Sequence, residues 1–437
     1  MKVAVVGSGI AGLTAAWSLS ARHEVTVFEK SSSPGMDAHS LDIETPEGAA
    51  RVDVPLRVFF DGFYPNLTQL YRLLGIEFKP VNYSASFGLL GDQTYFRFDN
   101  YRVGRYTVPF LKGRRSLNRT GLRIGLDNLR FFRRLASALE QGIEDDVTLE
   151  DFLRRHNYSR SFAEGFLYPA FAGICTCSHD SIKAYPARVV LEYLNSDLLL
   201  SSVQRVTQGT QAVVQRLSSQ VNEIRLGHAI TQVFETDAGV AVHTADSRDT
   251  FDHVVMATQA NQTARILTRA SADERDTLSR FRYEPSRVVV HRDERLAPPG
   301  GASAWAPVNF VLPDRTSTPM ATIWLNAIQA LPGRAPVFQS WNPVVEPDPA
   351  VVLGESHFER PVVSADSLRG LQQLAALHAQ PNRRIWFCGS YASHGIPLLE
   401  SAANSALLVA ERLGCPRPWA TEPEAPASGD LASAAST

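Results

Sequence analysis

The apolar positions at the start of the chain run on without alternating. Residues 2–6 form a valine-rich run, the pattern of a strand buried on both faces. Glycine then recurs at 7, 9 and 12, and residues 13–21 take helical composition. Residues 24–29 form a second apolar strand that ends in an acid. Strand, helix and strand within thirty residues predict a parallel βαβ start. After a polar, turn-rich stretch at 31–50, Pro65 and Gly75 bracket a helix. From 83 to 112 the pattern changes to alternation, interleaved with Phe87, Tyr95, Phe96, Phe98, Tyr101 and Tyr106, which predicts strands of an antiparallel sheet. Helices follow at 117–141, 148–156 and through much of 160–195. A strand–turn–helix is predicted at 203–217, strands at 228–235, 239–244 and 251–257, and alternation again at 286–292, 303–311 and 320–326. Residues 384–388 read as one more short strand, before a helix near 400–413.

This order predicts an α/β fold in which a Rossmann-type nucleotide domain carries a second, α+β substrate domain with a mixed sheet. The first is expected to be discontinuous, from 1–56, 204–270 and 380–415. The second takes 57–203 and 271–379. The tail 419–437, rich in Ala, Ser, Pro and Glu, is expected to be disordered. A chain of 437 residues fits two or three such units.

Composition narrows the partners. The formal charge is −2, so no global basic field points to nucleic acid. No run of about 18 uncharged apolar residues predicts a membrane span. Four cysteines make no disulfide framework, and the chain opens directly on a strand pattern without signal-peptide architecture. Both favour a reducing, cytoplasmic setting. Lysine stands only at 2, 30, 79, 112 and 183, while 38 of the 43 basic residues are arginine.

Gly7-x-Gly9-x-x-Gly12 becomes specific through its context, after a strand, opening a helix, with Glu29 ending the next strand. Gly7 allows the tight turn, Gly9 lets backbone approach a pyrophosphate, and Gly12 lets helix and strand pack closely. Free N–H groups at the helix start favour phosphate. Glu29 is placed to accept ribose hydroxyls. Far away in sequence, the strand ending at Cys388 runs into Gly389-Ser390-Tyr391, and a helix opens near Glu400. A second strand–glycine–helix unit suits a long flavin cofactor, with a helix N-terminus facing the flavin N1–C2=O edge.

With these motifs the chain resembles the flavin-containing amine oxidase / phytoene desaturase superfamily. It looks closest to a branch of NAD/FAD-binding flavoproteins, some of which accompany cyclopropane or methylated fatty-acid pathways. The matching stretches run from Val5–Leu13 and Glu29 through Val52-Asp53, Val58-Phe59, Tyr64 to Leu67 and Val206 to Gly209. They continue at His291-x-Asp293, Trp305, Asn309-Phe310, Trp324 to Asn326 with Gln329, Asn342-Pro343 and Phe387 to Tyr391. The resemblance implies non-covalent FAD in an extended pose. Gly7, Ser8, Gly9, Ala11, Gly12, Glu29 and Lys30 would hold the ADP half, and Ile230, in a strand from His228, the adenine. His39 matches a flavin-proximal position, and Gly389, Ser390, Leu399 and Glu400 would hold the flavin end. The sequence departs from the pattern at Gly35-Met36-Asp37-Ala38-His39, at Val54-Pro55 and at Leu399 to Ala402, all near the expected ring.

Amine oxidases of the superfamily commonly set a lysine near flavin N5, and none follows Lys183 here. That argues against a typical amine oxidase and leaves desaturase-like hydride removal from carbon or a redox-neutral isomerisation. The function expected is an FAD-dependent oxidoreductase that takes a hydride from C–H or C–N of an apolar small molecule or acyl-type substrate. Two other classes stay open: a flavin-dependent isomerase or cyclase without net redox, and a non-catalytic nucleotide-binding protein. His291, Asp293, Arg57, Tyr64, Tyr391 and His394 are the polar residues expected nearest the ring. Tyr391 and His394 stand out because they follow Gly389. A histidine can serve as base at neutral pH, and Arg57 can anchor a carboxylate. Residues 114–134 interleave arginines with Leu117, Leu122, Ile124, Leu126, Leu129, Phe131 and Phe132. Such a segment is either a solvated face over a core stripe or a peripheral membrane contact that receives lipid-like substrate. Cys175-x-Cys177 with His179 lacks a second ligand pair at zinc spacing, so no metal site is expected. Oligomeric state has no signature in the sequence.

Overall fold

The computed structural model describes residues 1–45, 47–92, 94–104, 106–196, 201–314 and 316–419. Trp419 packs against the main core, and the expectation of a disordered tail otherwise lies outside the described residues.

The first strand, Lys2–Val6, is the centre of a five-stranded, all-parallel sheet. Its neighbours are Glu24–Glu29 on one side and His253–Met256 on the other, with Glu223–Leu226 and Ile385–Phe387 at the edges. Alternate residues of this strand enter two different cores. Val3 and Val5 pack with the helix Ile10–Leu19, whereas Ala4 and Val6 pack with Val233, Val240 and Phe251. Burial on both faces explains why the strand reads as an unbroken apolar run. A three-stranded antiparallel sheet, Gln232–Thr236, Gly239–His243 and Arg248–Phe251, covers the second face. The helices Ile10–Leu19 and Leu399–Arg412 pack side by side on the first.

The other large sheet has eight strands. Its order is Val352–Val362, Arg282–His291, Phe338–Trp341, Met320–Trp324, Val308–Leu312, Ala85–Leu89, Thr94–Val103, Tyr106–Leu111. All pairs are antiparallel except Val308–Leu312 with Ala85–Leu89, which is parallel, so the sheet is mixed. Arg119–Glu140 runs beside it, started by Asn118, whose side chain accepts from the Gly121 N–H at 2.9 Å. Ala163–Leu167 is a single π-helical turn, a local widening that recurs at functional sites.

Two expectations need correction, and two elements were not expected at all. Residues 31–50 are not only turns, since Leu41–Thr45 pairs with Gly48–Val52. Both strands are largely solvated, so no apolar alternation marks them. The strand expected from His228 begins at Gln232, and Ile230 precedes it. The long strand Val352–Val362 and the helix Ala365–His378 stand where no element was expected, although Leu368, Leu371, Leu374 and Leu377 recur at helical spacing in the second. On that edge strand, polar residues sit between the few packed ones.

Candidate functional site

The glycine loop does three separate jobs. Gly7 turns the chain at φ +100° and donates its N–H to the Phe28 carbonyl at 2.8 Å. A Cβ on Gly12 would stand 1.9 Å from the Gly7 carbonyl oxygen, so helix and loop touch backbone to backbone there. A Cβ on Gly9 would meet nothing within 4 Å, and Gly9, Ile10 and Ala11 line a large cavity. Gly9 is also the N-cap of Ile10–Leu19. No side chain caps that helix and no acid stands in its first turn. Its end N–H groups are therefore unspent and suit a pyrophosphate.

Glu29 ends the neighbouring strand 6% exposed. One carboxylate oxygen accepts from the Ser8 N–H (2.9 Å) and hydroxyl (2.6 Å), and the other from the Ser31 N–H at 2.9 Å. The Ser8 hydroxyl in turn accepts from the Gly35 N–H at 2.7 Å. Glu29 thus holds the loop in shape, and a carboxylate with three donors keeps acceptor capacity for a ribose. Ser8 is fully enclosed behind it, and Lys30 is exposed.

At the far end, Gly389, Ser390, Tyr391, Leu398, Leu399 and Ala402 line the same cavity. The helix Leu399–Arg412 also begins without a side-chain cap. Two uncapped helix starts and an open glycine backbone around one space fit an extended dinucleotide carrying a ring system. When bound, FAD supplies a ring that accepts hydride.

The cavity measures about 1250 Å³, above the ~300–1,000 Å³ of a single-ligand site. It runs from the cofactor residues into the second domain between aromatic walls, among them Phe87, Phe96, Phe166, Phe310 and Trp341. The π-helical turn contributes Phe166 and Leu167. Among the described residues no Asp, Glu, His or Lys lines it. Its tyrosines are held protonated. Burial pushes the Tyr64, Tyr193 and Tyr391 hydroxyls well above the usual range and Tyr83 up to about 12. Arg57 and Arg360 face its interior, and neither hydrogen-bonds to a carboxylate among the described residues. Arg57 donates only to the Pro55 carbonyl, at 3.2 Å. Arg360 donates from Nε to the Thr176 hydroxyl at 2.6 Å and lies over the Trp341 ring at 5.6 Å. Burial lowers both guanidinium pKa values; the charge of Arg360 lowers that of Arg57 further, against the opposing pull of the Asp53 carboxylate.

The structure separates the other candidates from this space. His291 is fully buried in the eight-stranded sheet. Its Nε2 pairs with the Ser340 hydroxyl at 2.8 Å, and its Nδ1 accepts from the Asp293 N–H at 3.1 Å. Burial depresses it to about 4, so it is neutral and structural. Asp293 forms an ion pair with Arg295 at 2.5 Å, which holds its carboxyl far below the usual range. His394 is half-exposed and pairs with Glu192 at 2.6 Å, tying its loop to the helix Ala187–Asn195. Glu400 turns away from the cavity and accepts from the Asn66 and Leu67 N–H groups, capping the helix Pro65–Leu73. His39 stands outside it with its ring on Phe358, and Ile230 packs with the second core. The cysteines 175 and 177 are buried and free, and among the described residues no cluster could hold a metal. The side chains of Arg114 and Arg115 lie outside the described ones.

Sequence reasoning missed Arg360, an isolated arginine in a polar-looking edge strand. It also missed why Val52-Asp53 and Val206 to Gly209 match as motifs. The two segments meet: Asp53 pairs with Arg205 at 2.7 Å, both almost fully buried, and accepts from the Thr210 N–H at 3.1 Å. A Cβ on Gly209 would stand 2.6 Å from the Asp53 carboxylate.

Residues 10–337 match the model of the flavin containing amine oxidoreductase family. Among solved structures, a CLA-producing fatty acid isomerase from P. acnes is similar at TM-score 0.66 and 15% identity, over 94% of this chain and 98% of that one. An oxidoreductase from Methanosarcina mazei gives TM-score 0.65 at 13% identity, over 94% and 100%. The cyclohexylamine oxidase from Brevibacterium oxydans gives 0.60 at 14%, over 94% and 99%. At such identities these likenesses show the fold. No curated protein matches the sequence. With a matching family model over most of its length and a cradle built for an extended dinucleotide, the chain belongs to the flavin-containing amine oxidoreductase family, and its cofactor is FAD.

Proposed function

We propose that the protein takes hydride from a carbon of an apolar small molecule that carries one anionic group, desaturating it or oxidising a C–N bond. One observation carries this reading: the space beside the cofactor cradle is walled by aromatic and aliphatic side chains and holds no side chain that titrates near neutral pH among the described residues. The two hydrogens would leave as a hydride to the flavin and a proton to solvent at the cavity mouth, and the hydride step needs orientation and a shielded ring more than a protein base. Aromatic walls supply both. Arg57 and Arg360 are partly buried cations that hydrogen-bond to no described carboxylate, and a ligand carboxylate would satisfy them by charge-assisted bonds. Tyr64, Tyr83 and Tyr193, kept protonated, can only donate or accept a hydrogen bond there.

The same wall supports a second reading, an isomerase in which hydride leaves and returns. A fatty acid isomerase of the same fold adds to it. Anaerobic incubation of the FAD-loaded protein with apolar acids and amines separates the two. Bleaching of the flavin absorbance with a product two hydrogens lighter supports oxidation. A product of unchanged mass supports isomerisation. Protein that binds FAD yet neither binds nor is reduced by any such compound would overturn the assignment.

A further inference from the structure

The helix Arg119–Glu140 has more than one apolar face. Ile124, Phe131 and Leu135 point into the core. Leu122, Leu126 and Leu129, three and four residues apart, form another stripe and are 47–70% exposed. Beside that stripe run Arg119 and Arg123. Arg133 and Arg134 are exposed further along, and no ion pair joins any of these four to a described carboxylate. The adjacent hairpin, Thr94–Val103 with Tyr106–Leu111, is the end of the eight-stranded sheet among the described residues. It exposes Tyr101, Val103, Tyr106, Phe110 and Leu111. Nine of the thirteen exposed large hydrophobics among the described residues therefore fall between positions 101 and 129. Soluble surfaces rarely gather apolar groups this way without a partner.

The patch is continuous with the cavity. Leu111, Leu122, Leu126 and Leu129 are exposed on the outside and also line the mouth, together with Arg102 and Asn100. An apolar rim flanked by unpaired arginines, opening into an apolar tunnel, matches in charge and polarity the surface of an anionic bilayer. We propose that this face docks on anionic lipid, with Phe110 and the exposed leucines in the acyl boundary and the arginines on the headgroups. Apolar substrate then passes from the bilayer into the tunnel without crossing water. No described helix is long and apolar enough to cross a membrane, so the contact lies on the surface. The proposal concerns access and holds whichever reaction follows.

The test uses the full-length FAD-loaded protein and vesicles of pure phosphatidylcholine or of phosphatidylcholine with phosphatidylglycerol, read by co-sedimentation. Binding is expected to the anionic vesicles. It should fall at least about tenfold at roughly 1 M salt, where screening lengths shrink to ~3 Å. Phe110→Ser with Leu117→Ser, at two exposed positions outside the cavity lining, should lower binding as far while FAD absorbance stays unchanged. Arg119→Glu with Arg123→Glu should do the same and remove the lipid-charge preference. Equal binding to both vesicle types, or variants that bind like the parent chain, would overturn the proposal. So would a concentration-dependent dimer, abolished by Phe110→Ser with Leu117→Ser, in protein that ignores vesicles, because the patch would then be a contact between two copies.

Discussion

Two glycines three residues apart should respond to the same substitution in opposite ways. Gly12→Ala puts a methyl 1.9 Å from the Gly7 carbonyl oxygen and 3.2 Å from the Ala257 Cβ. Real Cβ contacts stay beyond that first distance, so helix and loop must separate. Overpacking of this kind costs about 1–3 kcal/mol or more, and the loop that carries the φ +100° turn lies directly in its path. Gly9→Ala meets no protein atom within 4 Å, and Gly9 sits at φ −63°, open to any residue. The apoprotein should therefore keep its stability within about 0.5 kcal/mol. Its new methyl instead occupies the cavity side of the helix start, where the pyrophosphate must approach. Loss of one charge-assisted N–H bond, at about 1.5–3 kcal/mol, predicts FAD affinity weaker by roughly ten- to a hundredfold. Urea unfolding of the two apoproteins, with FAD titration followed by flavin fluorescence, measures both effects. The reasoning fails if Gly9→Ala destabilises the apoprotein as much as Gly12→Ala does, or if it binds FAD like the parent.

Asp53→Asn should cost about 3–5 kcal/mol in urea unfolding, because it leaves the buried Arg205 without its counter-charge; adding Arg205→Met should recover most of it. Arg360→Met keeps the stem against Trp341 and removes the charge, so a fatty-acid probe should bind about ten- to a hundredfold more weakly by fluorescence titration, while its methyl ester binds as before. Equal losses for acid and ester would deny Arg360 the role of anion anchor. His291 is held neutral in the fold, at about 4, against an unfolded value near 6.5. The unfolded chain binds the extra proton, so this stability is present above about pH 6.5 and is lost as pH falls, by about 2 kcal/mol at pH 5. His291→Asn should flatten that slope in urea unfolding at the two pH values.

What the sequence revealed was what short spacing encodes. The glycine loop, the strand before it and Glu29 lie within thirty residues, so their geometry follows from local chain constraints. The strands of the second sheet were legible in the alternation from 83 to 112 and from 286 to 326, but the parallel pairing of Val308–Leu312 with Ala85–Leu89 was not. Which way a side chain faces was not. His394 stands five residues after Gly389, yet the loop turns it outward to Glu192. Glu400 opens the right helix, but its carboxylate serves a different helix end. His291 looked chemical because histidine often is, and it proved to be a hydrogen-bonded core residue. Arg360 approaches Arg57 only through the fold, some three hundred positions apart, and no local pattern encodes that pairing.

The parallel sheet also sets a timetable for synthesis. Lys2–Val6 gains Glu24–Glu29 at once, but its other neighbour is His253–Met256, and the strand beyond that is Ile385–Phe387. The helix partner of Ile10–Leu19 ends only at Arg412. At ribosomal rates of ~5–20 residues per second, the first βαβ segment waits roughly 20–80 s before its cradle is closed. During that interval apolar edges made at the very beginning stay uncovered, and no complete cradle exists for the flavin to enter. A flavin can enter only once the helix Leu399–Arg412 has been made, and its binding then ties widely separated segments of the chain into one cradle.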